Sequence, residues 1–223
     1  MSQKPYYNHD ATWLDRSAHR SPVWGHYSAV LYEHVLQVLS KHMETRTAAF
    51  QEQPNLLDAG CGAGKFGDFA VAAGYQYVGI DESSVAVALG RAHWPSRDLR
   101  CLDLAQPIAT ANLHLDLFGR FDIATSLNVL HCLTEENHRI QYLKNLKACV
   151  KSEGLLCLTT MYGPITRAFR PSREPRIYLD RDTIMGELAT AGWPEVIWEN
   201  TLREDDLNPI PNLEIIARGT MAP

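Results

Sequence analysis

The sequence lacks the features that mark membrane-spanning, secreted and metal-binding chains. It has no apolar run of about 18 residues, the minimum for a membrane span. The N-terminal stretch MSQKPYYNHD has no apolar signal region. The five cysteines include no Cys-x-x-Cys pair, and no cluster of metal ligands is evident. We therefore expect a cytoplasmic protein with reduced, packed cysteines, no membrane partner and no bound metal.

The sequence also has no excess of basic over acidic residues. Lys and Arg total 21 against 26 Asp and Glu, a net charge of -5. Such a balance gives no overall attraction to nucleic acid, and we expect no nucleic-acid partner. With 223 residues, 45% of them hydrophobic, the chain is long enough to bury a full core.

The glycine-rich turn at 60–64 is the most informative stretch that is present. A short apolar run, Asn55 to Asp58, enters it, and a helical segment from Lys65 to Ala73 follows. Glycines at 60, 62 and 64 permit backbone angles and a close approach that a Cβ would block. A strand, such a turn and a helix start together form a seat for a nucleotide-like ligand.

Two phosphate-binding motifs compete for this stretch. Gly62 to Gly67 fits the dinucleotide fingerprint G-x-G-x-x-G, and Asp81 stands about 20 residues further on. Asp58 argues against a dinucleotide, because a carboxylate at the mouth of the first strand repels a pyrophosphate and favours a sulfonium ligand with an ammonium group. The pattern G-x-x-x-x-G-K-[ST] fails, because Phe66 follows Lys65. An ordinary strand-to-helix turn is the remaining alternative.

From Asp58 through Gly60, Gly62 and Gly64, the stretch resembles the motif Asp-x-Gly-x-Gly-x-Gly of class I S-adenosylmethionine (SAM) methyltransferases. The resemblance runs from about residue 50 to the C-terminus. It implies an α/β, Rossmann-like fold with a seven-stranded sheet, mostly parallel with an antiparallel C-terminal strand, and helices on both faces. It also implies SAM as the cofactor, a catalytic domain at 51–223 and an N-terminal helical lid at 1–50.

Hydrophobic periodicity and capping residues predict alternating strands and helices. We expect helices at 22–43, 65–73, from Ser83 or Ser84 to 93, at 135–150 and after Asp180 or Asp182. Strands are expected from Asn55 and at 75–80, 99–102, 121–126, 155–160, 195–199 and 213–217. Residues 161–181 break this rhythm and are predicted to form a loop or lid over the strand ends. The alternation implies a parallel sheet that is covered on both faces.

Three acids follow three successive predicted strands: Asp58, Asp81 and Asp103. Ligands of open α/β sheets bind beyond the carboxyl ends of the strands, so we expect these side chains to face one crevice. Asp81 is placed to accept from both ribose hydroxyls. Asp103 and the backbone N–H of Leu104 are placed to bind adenine, and Asp58 favours the cationic end of SAM. Each acid alone fits a helix N-cap or a solvated loop equally well.

The segment after the fourth predicted strand, 126–133, is similar to the family's fourth-strand exit, which borders the transferred methyl group. Asn128 matches its first polar residue. No Asp/Asn-Pro-Pro-aromatic motif stands here, which argues against nucleobase methylation and favours a small metabolite. His131 is a candidate base or a packed histidine. Tyr162 is predicted to line the acceptor pocket or to pack in the core.

The 161–181 stretch also supplies four candidate substrate-binding residues: Arg167, Arg170, Arg173 and Arg176. Because the whole chain is acidic, this local basic excess favours an anionic ligand. An arginine fork holds a carboxylate or phosphate in a fixed orientation. The alternative is a solvated basic loop, or arginines paired with neighbouring acids.

We therefore expect a SAM-dependent methyltransferase that acts on the N, S or O atom of a small molecule, and the basic stretch favours a molecule with an acidic group. Positioning of donor and acceptor supplies much of the acceleration in such reactions. Two alternatives stay open. An enzyme of this fold can use SAM for other chemistry, such as intramolecular cyclisation with release of methylthioadenosine, and a non-catalytic partner protein can bind SAM without turnover. The sequence identifies neither the acceptor nor the oligomeric state.

Overall fold

A computed structural model describes residues 26–47, 53–107, 115–164, 166–169, 175–202 and 212–219. They belong to two compact units, one ending at Leu102 and the other beginning at Asp103. The first unit contains α1 (His26–Thr47), β1 (Asn55–Ala59), α2 (Phe66–Ala72), β2 (Gln76–Asp81), α3 (Ser84–His93) and β3 (Asp98–Cys101). The second contains β4 (Phe121–Leu127), α4 (Glu136–Cys149), β5 (Val150–Met161), β6 (Thr166–Phe169), β7 (Pro175–Tyr178), α5 (Arg181–Thr190), β8 (Glu195–Leu202) and β9 (Asn212–Arg218).

The main sheet has seven strands in the order β3-β2-β1-β4-β5-β9-β8. Strands β1, β2 and β3 pair in parallel, as do β4 and β5, whereas β9 runs antiparallel to both β5 and β8. Consecutive residues of β1, β2 and β4 are buried, which is typical of strands covered on both faces. The predicted fold class, a mostly parallel sheet with an antiparallel C-terminal strand, is confirmed.

The helix boundaries follow the predicted capping signals. The side chains of Ser83 and Asp180 accept from backbone N–H groups three residues further on, at 3.1 and 2.9 Å, so they are the N-caps of α3 and α5. Gly74 and Gly192 follow α2 and α5 with φ of 89° and 92°, a backbone region that favours glycine at helix ends. The first predicted helix ends at Thr47, four residues beyond the predicted end, and its predicted start lies outside the described residues.

The prediction of a loop over 161–181 is wrong in part. Strands β6 and β7 pair antiparallel, and Tyr162 forms a further bridge to Leu179. Buried Ile177 and Leu179 alternate with more exposed neighbours such as Arg176, which is the two-residue period of a strand. The high arginine content hid this period. Strand β5 is also longer than predicted and begins directly after α4.

A buried ion pair joins α4 to α5. The guanidinium of Arg139 contacts the carboxylate of Glu187 at 2.6 Å, and both side chains are 4% exposed. Its Nη1 atom donates to the carbonyl oxygens of Leu133 and Thr134 at 2.9 and 3.0 Å. All three nitrogen atoms of the buried guanidinium therefore donate to oxygen atoms, and the pair fixes the segment that follows β4. No helix of the described part of the chain is long and apolar enough to cross a membrane.

Candidate functional site

The glycine turn adopts the backbone that its sequence predicts. Gly60, Gly62 and Gly64 have φ of 74°, 57° and 82°, a region that costs a residue with a Cβ free energy. The turn is attached to β2, because the amides of Gly60 and Cys61 donate to the carbonyl of Ile80 at 2.7 and 3.0 Å. Strand β2 therefore determines where the turn lies.

Asp81 joins the glycine turn to the start of α3. Its Oδ2 atom accepts from the backbone N–H of Gly62 at 2.8 Å, and its Oδ1 atom accepts from that of Ser83 at 2.8 Å. A carboxylate offers about four lone-pair positions. A single carboxylate thus holds both the glycine turn and the start of α3.

Asp58 is buried within β1, and its Oδ2 atom accepts from the hydroxyl of Tyr77 at 2.7 Å. Burial, and next the charge of Asp58, raises the pKa of Tyr77 well above its ordinary value, so the phenol keeps its proton and donates. Burial, and then the charges of Asp81 and Asp58, likewise raises the pKa of the Cys61 thiol. The charge of Asp58 thus adds to the effect of burial at both groups, and that of Asp81 adds to it at Cys61.

Arg97 supports the outer side of the turn and was not identified from the sequence. Its Nη1 atom donates to the carbonyl of Gly64 at 2.8 Å, and its Nη2 atom donates to Asp68 at 2.7 Å. The guanidinium also lies 4.5 Å from the ring centroid of Trp94, at cation–π distance. Nothing in the residue pattern signals this contact, because its partners are distant in sequence.

In the second unit, Asp103 and Leu104 lie in a short turn at the start of the unit. The Oδ1 atom of Asp103 accepts from the backbone N–H of Ala105 at 3.0 Å. Asn145, on α4, donates through Nδ2 to the carbonyls of Leu104 and Gln106, both at 2.7 Å. This side chain, also missed by sequence reasoning, fixes the turn to which adenine binding was assigned.

Asn128 has the most unusual backbone of the predicted site residues. Its φ is 61°, a left-handed conformation that is uncommon outside glycine. Its N–H donates to the carbonyl oxygen of Thr159 at 2.9 Å and lies 3.1 Å from the hydroxyl oxygen of that residue. Its Oδ1 atom is buried and accepts no hydrogen bond from the described residues. A strained backbone that carries a buried acceptor without a donor is characteristic of functional positions.

His131 is buried in the one-turn helix Leu130–Cys132, which follows β4. Its Nδ1 atom accepts from the backbone N–H of Met161 at 3.3 Å and lies 3.4 Å from the hydroxyl of Thr160. Accepting at Nδ1 places the ring proton on Nε2. The contact favours the packed histidine over the base, because taking up a proton at Nδ1 would break it. Tyr162 is half-buried, directly after β5.

Four arginines were predicted to bind the substrate, and the structure describes the side chain of one of them, Arg176. Its Nη1 atom donates to the Sγ atom of Cys132, and the Cys132 thiol lies 3.7 Å from the carbonyl oxygen of Asn128. Arg176 therefore reaches the segment that carries Asn128. Arg170, Arg173 and the side chain of Arg167 lie outside the described residues. Within the described ranges, no group of three or more His, Cys, Asp or Glu residues is arranged to hold a metal ion.

Comparison with known proteins identifies the fold. Residues 57–156, from β1 into β5, match the family described as "Methyltransferase domain". A SAM-dependent methyltransferase from Methanosarcina mazei is 18% identical with a TM-score of 0.65, over 79% of this chain and 97% of that one. The 1,6-didemethyltoxoflavin-N1-methyltransferase of Burkholderia thailandensis is 16% identical with a TM-score of 0.68, over 99% and 94%.

The [4+2]-cyclase SpnF is 17% identical with a TM-score of 0.59, over 82% of this chain and 80% of that chain. No curated protein matches the sequence. At these identities the solved structures share the fold, and the domain match covers the glycine turn, Asp81 and Asn128. These comparisons confirm the resemblance to class I, Rossmann-like SAM-dependent methyltransferases and support SAM as the cofactor: residues 57–156 match a methyltransferase domain, and the solved structures share the fold.

Proposed function

We propose that this protein transfers the methyl group of SAM to a small-molecule acceptor. The observation that carries the proposal is the pair of carboxylates, Asp58 and Asp81, beside one glycine turn. A pyrophosphate would be repelled by this charge, whereas a cationic sulfonium ligand with an ammonium group is favoured. SAM supplies, when bound, a methyl group on a positively charged sulfur.

The residues of the first unit fit SAM. The Asp81 carboxylate is proposed to accept from the two ribose hydroxyls alongside its bonds to Gly62 and Ser83, because a carboxylate accepts several hydrogen bonds at once. Tyr77 fixes one oxygen of Asp58, which leaves the charge of that carboxylate to favour the ammonium end. In the second unit, the assignment of Asp103 and Leu104 to adenine stays a prediction from the family resemblance.

Asn128 is proposed to lie beside the reacting atom of the acceptor. Its buried Oδ1 atom is held by a left-handed backbone, so it costs no reorganisation to present this oxygen to an acceptor N–H or O–H group. Its role is to orient the acceptor for in-line displacement, where correct position supplies several kcal/mol, about 7–11 in the best cases. We do not assign His131 the role of base, because Met161 occupies its Nδ1 atom.

Arg176 is proposed to bind an acidic group of the acceptor, since its guanidinium reaches the Asn128 segment through Cys132. The contributions of Arg167, Arg170 and Arg173, and the lid role of residues 1–50, stay predictions that the described residues do not test.

A second candidate function keeps the cofactor and changes the reaction. SpnF shares the fold and is named a [4+2]-cyclase, so the fold alone does not fix methyl transfer. SAM cyclisation, with methylthioadenosine as its product, belongs to this second class, and SAM binding without turnover is the non-catalytic alternative.

Mass spectrometry of SAM and its products, after incubation of the protein with a cell extract, tests the three possibilities. Methyl transfer yields S-adenosylhomocysteine and a methylated acceptor. Methylthioadenosine in place of S-adenosylhomocysteine would support cyclisation, and binding without any product would support the non-catalytic alternative. Titration with SAM and, in parallel, with NADH tests the cofactor itself: tight NADH binding without SAM binding would refute the proposal.

A further inference from the structure

Asn212, the first residue of β9, carries a buried side-chain amide. The residue is 3% exposed, and its Oδ1 atom accepts no hydrogen bond from the described part of the chain. Leaving a buried amide oxygen without a donor costs about 1–3 kcal/mol. Such a cost is expected where the missing donor belongs to a ligand.

Strand pairing places Asn212 near other oxygen-bearing residues. Asn212 pairs with Met161, the last residue of β5, and Glu214 pairs with Thr159. Because side chains alternate along a strand, Asn212 and Glu214 share one face of the sheet with Thr159. Glu214 is fully buried, and it raises the pKa of the neighbouring Cys157 thiol, after the larger effect of burial.

Asn128 extends this set. Its N–H donates to Thr159, the partner of Glu214 in the strand register, and its own Oδ1 atom is the second buried amide oxygen without a donor among the described residues. Two amides and a carboxylate thus belong to residues on either side of the carboxyl end of β5: Asn128 directly after β4, and Asn212 and Glu214 on β9. Ligands of open α/β sheets bind at that end of the strands.

We propose that Asn212, Glu214 and Asn128 bind a nitrogen group rich in N–H donors on the methyl acceptor, such as an amidine, a primary ammonium or an aminated heteroaromatic ring. This inference rests on the proposed function and specifies its substrate class. Acceptor atoms on three residues match a group with several N–H bonds, and the Glu214 carboxylate favours a positive charge on it. An acceptor with an acidic group at Arg176 and a nitrogen group here satisfies both sets of residues.

Ligand-observed NMR with the full chain tests this substrate class. Benzamidine is the probe, acetophenone is a planar counterpart with neither N–H donors nor an acidic group, and S-adenosylhomocysteine is present throughout. We expect benzamidine to bind the wild type and acetophenone to bind at least about tenfold more weakly. In Asn212→Leu the affinity for benzamidine should fall at least about tenfold, whereas Asn212→Asp should keep or strengthen it.

Asn137→Leu is the matched control, because Asn137 is exposed on α4 and should leave benzamidine binding unchanged. Thermal unfolding separates a binding role from a structural one. Replacing an amide that has no donor by an apolar group of similar size should maintain or raise the melting temperature. A large fall in melting temperature, or failure to fold, would assign Asn212 a structural role and overturn the inference.

SAM titration of the same proteins distinguishes this inference from the proposed function. Normal SAM binding by both the wild type and Asn212→Leu, with selective loss of benzamidine in the variant, supports the inference. Normal SAM binding with no benzamidine binding, or with equal binding by the variant, overturns it and leaves the proposed function intact. No SAM binding by the wild type refutes the proposed function and this inference with it.

Discussion

The Oδ2 atom of Asp81 lies 2.8 Å from the backbone nitrogen of Gly62, 19 residues earlier in the chain. The acid expected to bind the ribose therefore also closes the glycine turn. Its second oxygen holds the backbone N–H of Ser83 at the start of α3. The proposed cofactor seat is thus formed by the protein's own hydrogen bonds, which reduces the ordering needed when SAM binds.

Asp81→Ala should weaken SAM binding by at least about a hundredfold, because two charge-assisted hydrogen bonds to the ribose are lost. It should also lower the free energy of unfolding by about 1–3 kcal/mol, because the N–H groups of Gly62 and Ser83 lose their acceptor. Calorimetric titration with SAM and urea unfolding measure the two effects. Asp81→Asn keeps one oxygen and should lie between the wild type and the alanine variant. Normal SAM affinity in Asp81→Ala would exclude Asp81 from the cofactor site.

Substitutions of Asn128 should separate the effect of its backbone conformation on stability from the effect of its side chain on turnover. Asn128→Gly relieves the left-handed backbone and should maintain or raise the free energy of unfolding, whereas Asn128→Ala should lower it by about 1 kcal/mol. Both variants lack the Oδ1 atom and should lower kcat/KM at least about tenfold. Steady-state kinetics and urea unfolding give the comparison. A glycine variant with normal turnover would show that only the backbone of Asn128 matters.

The sheet could be predicted from the sequence because its signals are local. Apolar runs, capping residues such as Ser83, and glycines such as Gly74 lie within the elements that they define. The β6–β7 hairpin was missed because its arginines outweighed a two-residue period that spans only four residues in each strand.

The site could be predicted only where a family motif carries it. The residues that position the motif were missed, because their partners are far away in sequence. Arg97 lies 33 residues from Gly64, and Asn145 lies 41 residues from Leu104. The burial that leaves the Oδ1 atom of Asn212 without a described donor also depends on tertiary packing. No single-sequence pattern encodes such contacts.

The buried pair of Arg139 and Glu187 should be the most sensitive ionic contact in the second unit. Glu187→Ala leaves a buried guanidinium without its counter-charge and should cost about 3–5 kcal/mol of unfolding free energy. Replacing both partners by apolar residues, Arg139→Met with Glu187→Leu, should cost much less than the single change. Urea unfolding measures each variant. The control is Glu199→Ala, which breaks the solvent-exposed pair with Arg181 and should change little.

Cys149 should make stability fall at alkaline pH. Burial raises the pKa of its thiol from an ordinary 9.0 to about 12, so the folded protein keeps a proton that the unfolded chain loses. The stabilisation is fully present below pH 9 and is lost as the pH rises from 9 toward 12, by up to about 1.4 kcal/mol per pH unit. Urea unfolding at several pH values between these limits should show a shallower decline for Cys149→Ala than for the wild type. Equal slopes would show that the thiol does not titrate as expected.

Arg176 should determine the affinity for an acidic acceptor without affecting SAM. Arg176→Ala removes the guanidinium that reaches Cys132 beside Asn128, and KM for such an acceptor should rise at least about tenfold while the Kd for SAM stays unchanged. Arg176→Lys keeps the charge but loses the planar fork, so it should restore only part of the affinity. Arg181→Ala, at an exposed position paired with Glu199, serves as the control for loss of a positive charge in this region.

The same kinetics on alanine variants of Arg167, Arg170 and Arg173 would show whether these arginines also bind the acidic group. If all four alanine variants keep the wild-type KM, the basic stretch is a solvated surface, and recognition of the acceptor must depend on the nitrogen-binding set around Asn212 alone.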